Sequence, residues 1–91
     1  MADMDLQGIP KIAPGYRLQW EEVQQCNVLL YPEGMVQLND SASFILEKLD
    51  GKRNLAEVIA ALEEEFGEPD LKADVLEFVV EAVGRGWVRV S

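Results

Sequence analysis

Apolar positions along this chain change their period once. Over Tyr16-Arg17-Leu18-Gln19-Trp20 apolar and polar residues alternate strictly, which predicts a strand with Tyr16, Leu18 and Trp20 on one face. Cys26 to Tyr31 is apolar apart from Asn27, and a further short run, Met35-Val36-Gln37-Leu38, follows Pro32-Glu33-Gly34. Pro32 presets the backbone for the second position of a type I turn, and Gly34 is expected to supply left-handed freedom. A hairpin of two strands is therefore predicted here. The link from Glu21 to Gln25 has no comparable turn chemistry.

Beyond Leu38 the period moves to about three and a half residues. Ala42, Ile45, Leu46 and Leu49 predict a first helix that starts near Asn39, Asp40 and Ser41, all competent N-caps, and stops at Asp50-Gly51. Asn54 followed by Glu57 forms a capping-box pattern for a second helix, whose stripe is Leu55, Val58, Ile59, Leu62 and Phe66 before Gly67. Asp70 is expected to cap a third helix from Leu71 to about Arg85, closed by Gly86, with Trp87-Val88-Arg89-Val90 as an extended tail. Met1 to Gly15 shows no period, and Pro10 and Pro14 are expected to interrupt any regular element. The expected organisation is a flexible lead-in over 1–15 and a single domain over 16–91. Its fold class is α+β and winged-helix-like, a three-stranded antiparallel meander followed by three helices.

Composition narrows the chemistry. Ninety-one residues, 48% apolar and 27% charged, suit one folded domain with one core. One cysteine and no histidine remove internal disulfides, the common zinc sites and the commonest general base, so neither a metal nor a cofactor is expected. Seventeen acids against eight bases give a formal charge of -9, which repels phosphate backbones and anionic lipid surfaces. Met1 to Pro10 carries two aspartates and neither a basic leader nor an apolar run. The expectation is no signal peptide, no membrane anchor and a cytoplasmic protein.

Two features stand out as candidates for binding. Val75, Leu76, Phe78, Val79, Val80, Ala82 and Val83 cover an arc of roughly 200° on the third helix, where a surface helix needs a stripe of little more than about 100°. Either this helix is buried between sheet and helices, or one flank lines a groove open to a ligand. The third predicted strand, Met35 to Leu38, is an edge without the charge or proline that blocks strand pairing. It is either open to strand addition by a peptide or too short to need a guard.

Other clusters have plainer readings. Glu63-Glu64-Glu65 sits where the helix dipole disfavours negative charge, and is either a solvated face or a contact for a basic partner. Lys48, Lys52 and Arg53 gather where that dipole favours them. Cys26, among apolar neighbours, is expected to be a buried, unreactive thiol, and Glu21-Glu22 a pair of solvated loop charges. Asp40-Ser41-Ala42 resembles the prosthetic-group serine of acyl carrier proteins. Such carriers are helical upstream of that serine, whereas residues 16 to 38 alternate like strands, so Ser41 is read as an N-cap. A DNA-binding winged helix is disfavoured by the third helix, which sets Lys72 and Arg85 against Asp74, Glu77 and Glu81.

Taken together, several segments resemble the PqqD family. They are Arg17 and Trp20, Leu29-Leu30-Tyr31-Pro32-Glu33-Gly34, Leu38-Asn39, Ile45-Leu46, Asp50-Gly51 and Gly86-Trp87-Val88. The resemblance spans nearly the whole chain. It implies a non-catalytic, cofactor-free recognition domain that binds the ribosomally made precursor peptide PqqA. The domain would present PqqA to PqqE, a radical S-adenosylmethionine enzyme that links glutamate and tyrosine side chains of the precursor. In related recognition domains the leader adds as a strand beside the third strand and against the third helix. The implied peptide-binding residues are Met35, Val36, Gln37 and Leu38, with some of Val75, Leu76, Val79, Val80 and Val83. A monomer is expected, with a swapped dimer as the alternative in concentrated samples. The competing readings are an acidic carrier protein and a winged-helix regulator.

Overall fold

A computed structural model describes residues 5–91. Its elements are β1 (Pro10–Ile12), β2 (Arg17–Glu21), β3 (Cys26–Tyr31), β4 (Gly34–Gln37), α1 (Asp40–Glu47), α2 (Leu55–Phe66), α3 (Lys72–Gly84) and β5 (Val88–Val90). Strands β2, β3 and β4 form the expected antiparallel meander in that order, followed by three helices, and the class is α+β. Leu18, Leu29 and Val36 lie in register across the three strands and pack with the core. The opposite face carries Arg17, Gln19 and Glu21, whose side chains hydrogen-bond in a row along β2. Trp20 shares the face of Leu18 but sits on the outer strand and is 51% exposed, so the predicted apolar face is buried only in part. Gly34 pairs directly with Tyr31 at φ 158°, near the extended limit and outside the left-handed well expected for it.

The lead-in differs most from expectation. Met1 to Met4 lie outside the described residues; from Asp5 onward the segment is integrated into the fold. Strand β1 pairs antiparallel with β5, Pro10 opposite Val90 and Ile12 opposite Val88. Ile9 and Ser91 exchange both backbone hydrogen bonds, at 2.9 and 3.0 Å. The next pair, Pro10 and Val90, is therefore one that antiparallel geometry leaves unbonded, and the missing proline N–H is not needed there. The carbonyls of Leu6 and Gly8 also accept the N–H groups of Ala56 and Leu55, which the first turn of α2 cannot satisfy internally.

Helix ends follow capping chemistry with three corrections. Asn39 caps α1 by accepting the Ala42 N–H at 2.8 Å, so Ser41 lies inside the first turn and is not the cap. Helix α1 stops at Glu47, earlier than Asp50-Gly51, while Leu49 still completes the buried stripe. The Asn54–Glu57 capping box of α2 is present in both directions, and Gly67 ends that helix at φ 63°. Asp70 does not cap α3. It sits at φ 64°, whereas a cap needs extended backbone to aim its side chain at the next turn; the Leu71 N–H goes instead to the Glu63 carboxylate at 3.0 Å. The core gathers Leu29, Leu46, Leu55, Val58, Leu62, Val79 and Val88, all essentially without exposure. No helix among the described residues is long and apolar enough to cross a membrane.

Candidate functional site

Among the described residues, strand β4 has β3 on one side and no strand on the other. Which of its backbone groups face that open side follows from one bond: the Leu38 N–H donates to the Asn27 carbonyl at 3.0 Å. With Leu29 opposite Val36 and Tyr31 opposite Gly34, the bonded positions along this strand are Leu38, Val36 and Gly34. The N–H and C=O groups of Met35 and Gln37 therefore point away from β3, toward the open edge. Their side chains project from the outer face, Met35 at 50% exposure, while Val36 is half-buried and Leu38 buried on the inner face. The Gln37 side-chain amide donates to Gln24 Oε1.

Helix α3 is buried along one line and open beside it. Val75, Val79 and Ala82 form the buried line; Val79 is wholly enclosed and belongs to the core. At 3.6 residues per turn, Leu76, Val80 and Val83 share one flank of that line, and Leu71, Asp74 and Phe78 share the other. Val80 and Val83 are 46% and 39% exposed and Leu76 is half-buried. The helix starts beside the N-terminal turn of α1, since Leu71 and Val75 share a cleft with Ser41 and Phe44. At its far end Gly86 lies close to the Tyr16 hydroxyl, and the Tyr16 ring stacks obliquely on Tyr31, 5.5 Å between centroids. Thus α3 runs from the Gln37 end of β4 toward the hairpin end. The structure brings Met35, Val36, Gln37, Leu76, Val80 and Val83 to accessible positions and places Leu38, Val75 and Val79 inside.

The shared cleft, about 340 Å³, opens where α1, α2 and α3 meet. Ile45, Leu62, Leu71 and Val75 give it an apolar lining, and Phe44 and Phe66 meet edge to face with centroids 4.9 Å apart. Sequence reasoning missed this feature, although Phe44 falls off the α1 stripe and so signals an aromatic ring directed elsewhere. Phe66, counted in the α2 stripe, is exposed.

The remaining candidates resolve into structural roles. Within the acidic triplet, Glu63 takes the Leu71 N–H and Glu65 pairs with Lys48 at 2.6 Å. Glu22 accepts from the Trp20 indole at 3.1 Å. Cys26, the first residue of β3, is half-buried rather than buried. Arg85 pairs with Glu81 at 3.5 Å and lies over the Trp87 ring at 5.3 Å, so α3 presents no basic stripe.

Comparison with known proteins agrees with this architecture. The sequence pattern of PqqD, "Coenzyme PQQ synthesis protein D", matches residues 26–88. A protein of Azotobacter vinelandii named PqqA binding protein is 50% identical over 91 residues, covering 99% of each chain. A protein of the same name from Pseudomonas aeruginosa is 46% identical over 87 residues, covering 94% of this chain and 95% of its own. Among solved structures, the solution NMR structure of the PqqD truncation of Methylobacterium extorquens PqqCD superimposes with a TM-score of 0.72. It is 26% identical, covers 88% of this chain and 87% of its own, and is described as a functional, stand-alone recognition element for ribosomally synthesized, post-translationally modified peptides. Matched by the family's pattern from Cys26 to Val88, and by these relatives over nearly its whole length, the chain belongs to the PqqD family.

Proposed function

We propose that this protein binds the precursor peptide PqqA by strand addition to β4 and presents it to the radical S-adenosylmethionine enzyme PqqE in the cytoplasm, without catalysis of its own. The observation that carries this reading is the outer edge of β4. Met35 and Gln37 turn their backbone donors and acceptors to an unguarded side, and an added strand would satisfy them. Leu76, Val80 and Val83 supply apolar surface on α3 for the side chains of that strand. The names of the relatives support the choice of PqqA, and the description of the M. extorquens structure supports peptide recognition by a domain standing alone. Since β1 closes against β5, the recognition unit includes residues 5–15 together with 16–91. It acts as a monomer.

The test is titration of the isotope-labelled protein with PqqA. Amides of Met35 and Gln37 are expected to shift and to gain protection from hydrogen exchange, as ladder donors do. Binding that leaves both amides unshifted and unprotected rejects strand addition.

A further inference from the structure

We propose that the cleft where α1, α2 and α3 meet is a second subsite, holding an apolar side chain of the bound peptide that has a basic residue beside it. This rests on the peptide-binding reading and adds to it the chemistry of one part of the ligand. The interior is apolar: Ile45, Leu62, Leu71 and Val75 line it, with the exposed rings of Phe44 and Phe66. Its volume of about 340 Å³ is that of a small ligand pocket and accommodates an aromatic or large aliphatic side chain. Two exposed phenylalanines at a concavity are an unusual surface for a chain this rich in charge.

Charge complementarity decides the neighbour of that side chain. Glu68 and Asp74 also line the cleft, and no lysine or arginine does. The ion pairs among the described residues, Lys48–Glu65, Arg53–Asp50 and Arg85–Glu81, leave both carboxylates without a basic partner. The dipole of α3 accounts for Asp74 in its first turn, but not for Glu68, which lies in the connection between α2 and α3. A lysine or arginine next to the buried side chain would lay its cationic head on these carboxylates and its aliphatic stem along the rim. The cleft is within reach of the β4 edge. Ser41, on its wall, is four residues beyond Gln37, hence at most about 14 Å away, a distance that some four extended peptide residues span.

Calorimetric titration with PqqA tests this. The variants are Glu68→Lys combined with Asp74→Asn, and, as a control, Glu77→Lys, an exposed α3 residue outside the cleft lining. Thermal melts establish that each is folded. The cleft variant is expected to bind about tenfold more weakly at low salt, and the control to change by less than about twofold. Replacing the basic residues of PqqA one at a time by glutamine should reveal one whose loss weakens binding to the wild type but not to the cleft variant. If the cleft variant behaves like the control while the Met35 and Gln37 amides still respond to PqqA, the subsite is refuted and strand addition stands. If those amides do not respond either, strand addition falls as well, and a wild type that shows no binding heat with PqqA overturns the peptide-binding reading itself.

Discussion

The side-chain amide of Asn27 donates to two groups on α1 at once, the Ser43 hydroxyl and the Glu47 carboxylate, the latter at 2.7 Å. Asn27 and Ser43 are both buried, so this is a polar pin through the contact between β3 and α1. Removing the amide with Asn27→Ala leaves the Ser43 hydroxyl in the interior without its donor. The expected loss is on the order of 1–3 kcal/mol in urea unfolding. Ser43→Ala in the same background should add little, because the interaction it removes is already gone.

The ladder phase of β4 makes two adjacent positions respond oppositely to proline. The Val36 N–H belongs to the ladder with β3, so Val36→Pro is expected to cost at least about 1 kcal/mol of stability. The Gln37 N–H points outward, so Gln37→Pro should fold nearly as well as Gln37→Ala, which also lacks the side-chain bond to Gln24. Its affinity for PqqA should fall by about 1 kcal/mol, the net value of one hydrogen bond, plus any ring clash. Equal affinities for the proline and alanine variants, measured by calorimetry, would remove strand addition along this edge.

Val80 offers a test of the helical wall. Since it is 46% exposed, Val80→Glu should change stability by no more than about 0.5 kcal/mol in a thermal melt. A carboxylate there would have to be desolvated against the apolar side chains of the peptide, and PqqA should bind measurably more weakly. Unchanged affinity would place the peptide on the opposite flank of α3, beside Phe78.

Acid should loosen the connection between α1 and α2. The Asp50 carboxylate is held below its ordinary pKa by the N–H of Arg53, next by that of Lys52, and by the nearby Arg53 charge. A depressed carboxylate contributes stability that is present above its unfolded pKa and lost as pH falls through the folded one. Asp50→Asn can still accept the same two N–H groups but cannot titrate. In thermal melts the wild type should therefore lead this variant at about pH 7, and the lead should shrink toward about pH 3.

Local chemistry was legible in the sequence wherever it was self-contained. Asn54 and Glu57 mark the start of α2 by a capping box that closes within one turn, Gly67 marks its end, and the meander follows from alternation and one turn. The open edge at Met35 to Leu38 was visible because nothing there guards it. The direction of each N–H along it was not, since that depends on the register with Asn27 and Leu29. Pro10 concealed β1, because only its pairing opposite Val90 shows that the missing N–H faces away from the ladder. Asp70 has the composition of a cap and a backbone that forbids it. The cleft is built from three helices, and no single stretch of sequence contains it.

Strand β1 also sets an order on synthesis. About eighty residues separate Pro10 from Val90, against a two-residue loop for the hairpin of β3 and β4. Ring closure over that span carries roughly 3 kcal/mol more entropy than closure of the hairpin. Strand β1 thus finds its partner only after β2, β3, β4 and the three helices have been made. Until then Ile9 and Ile12 remain without the β5 strand that helps to shelter them. A nascent chain can complete its meander and helices while β1, tethered through the Leu6 and Gly8 carbonyls at the start of α2, still lacks its partner strand and stays open to chaperones and proteases.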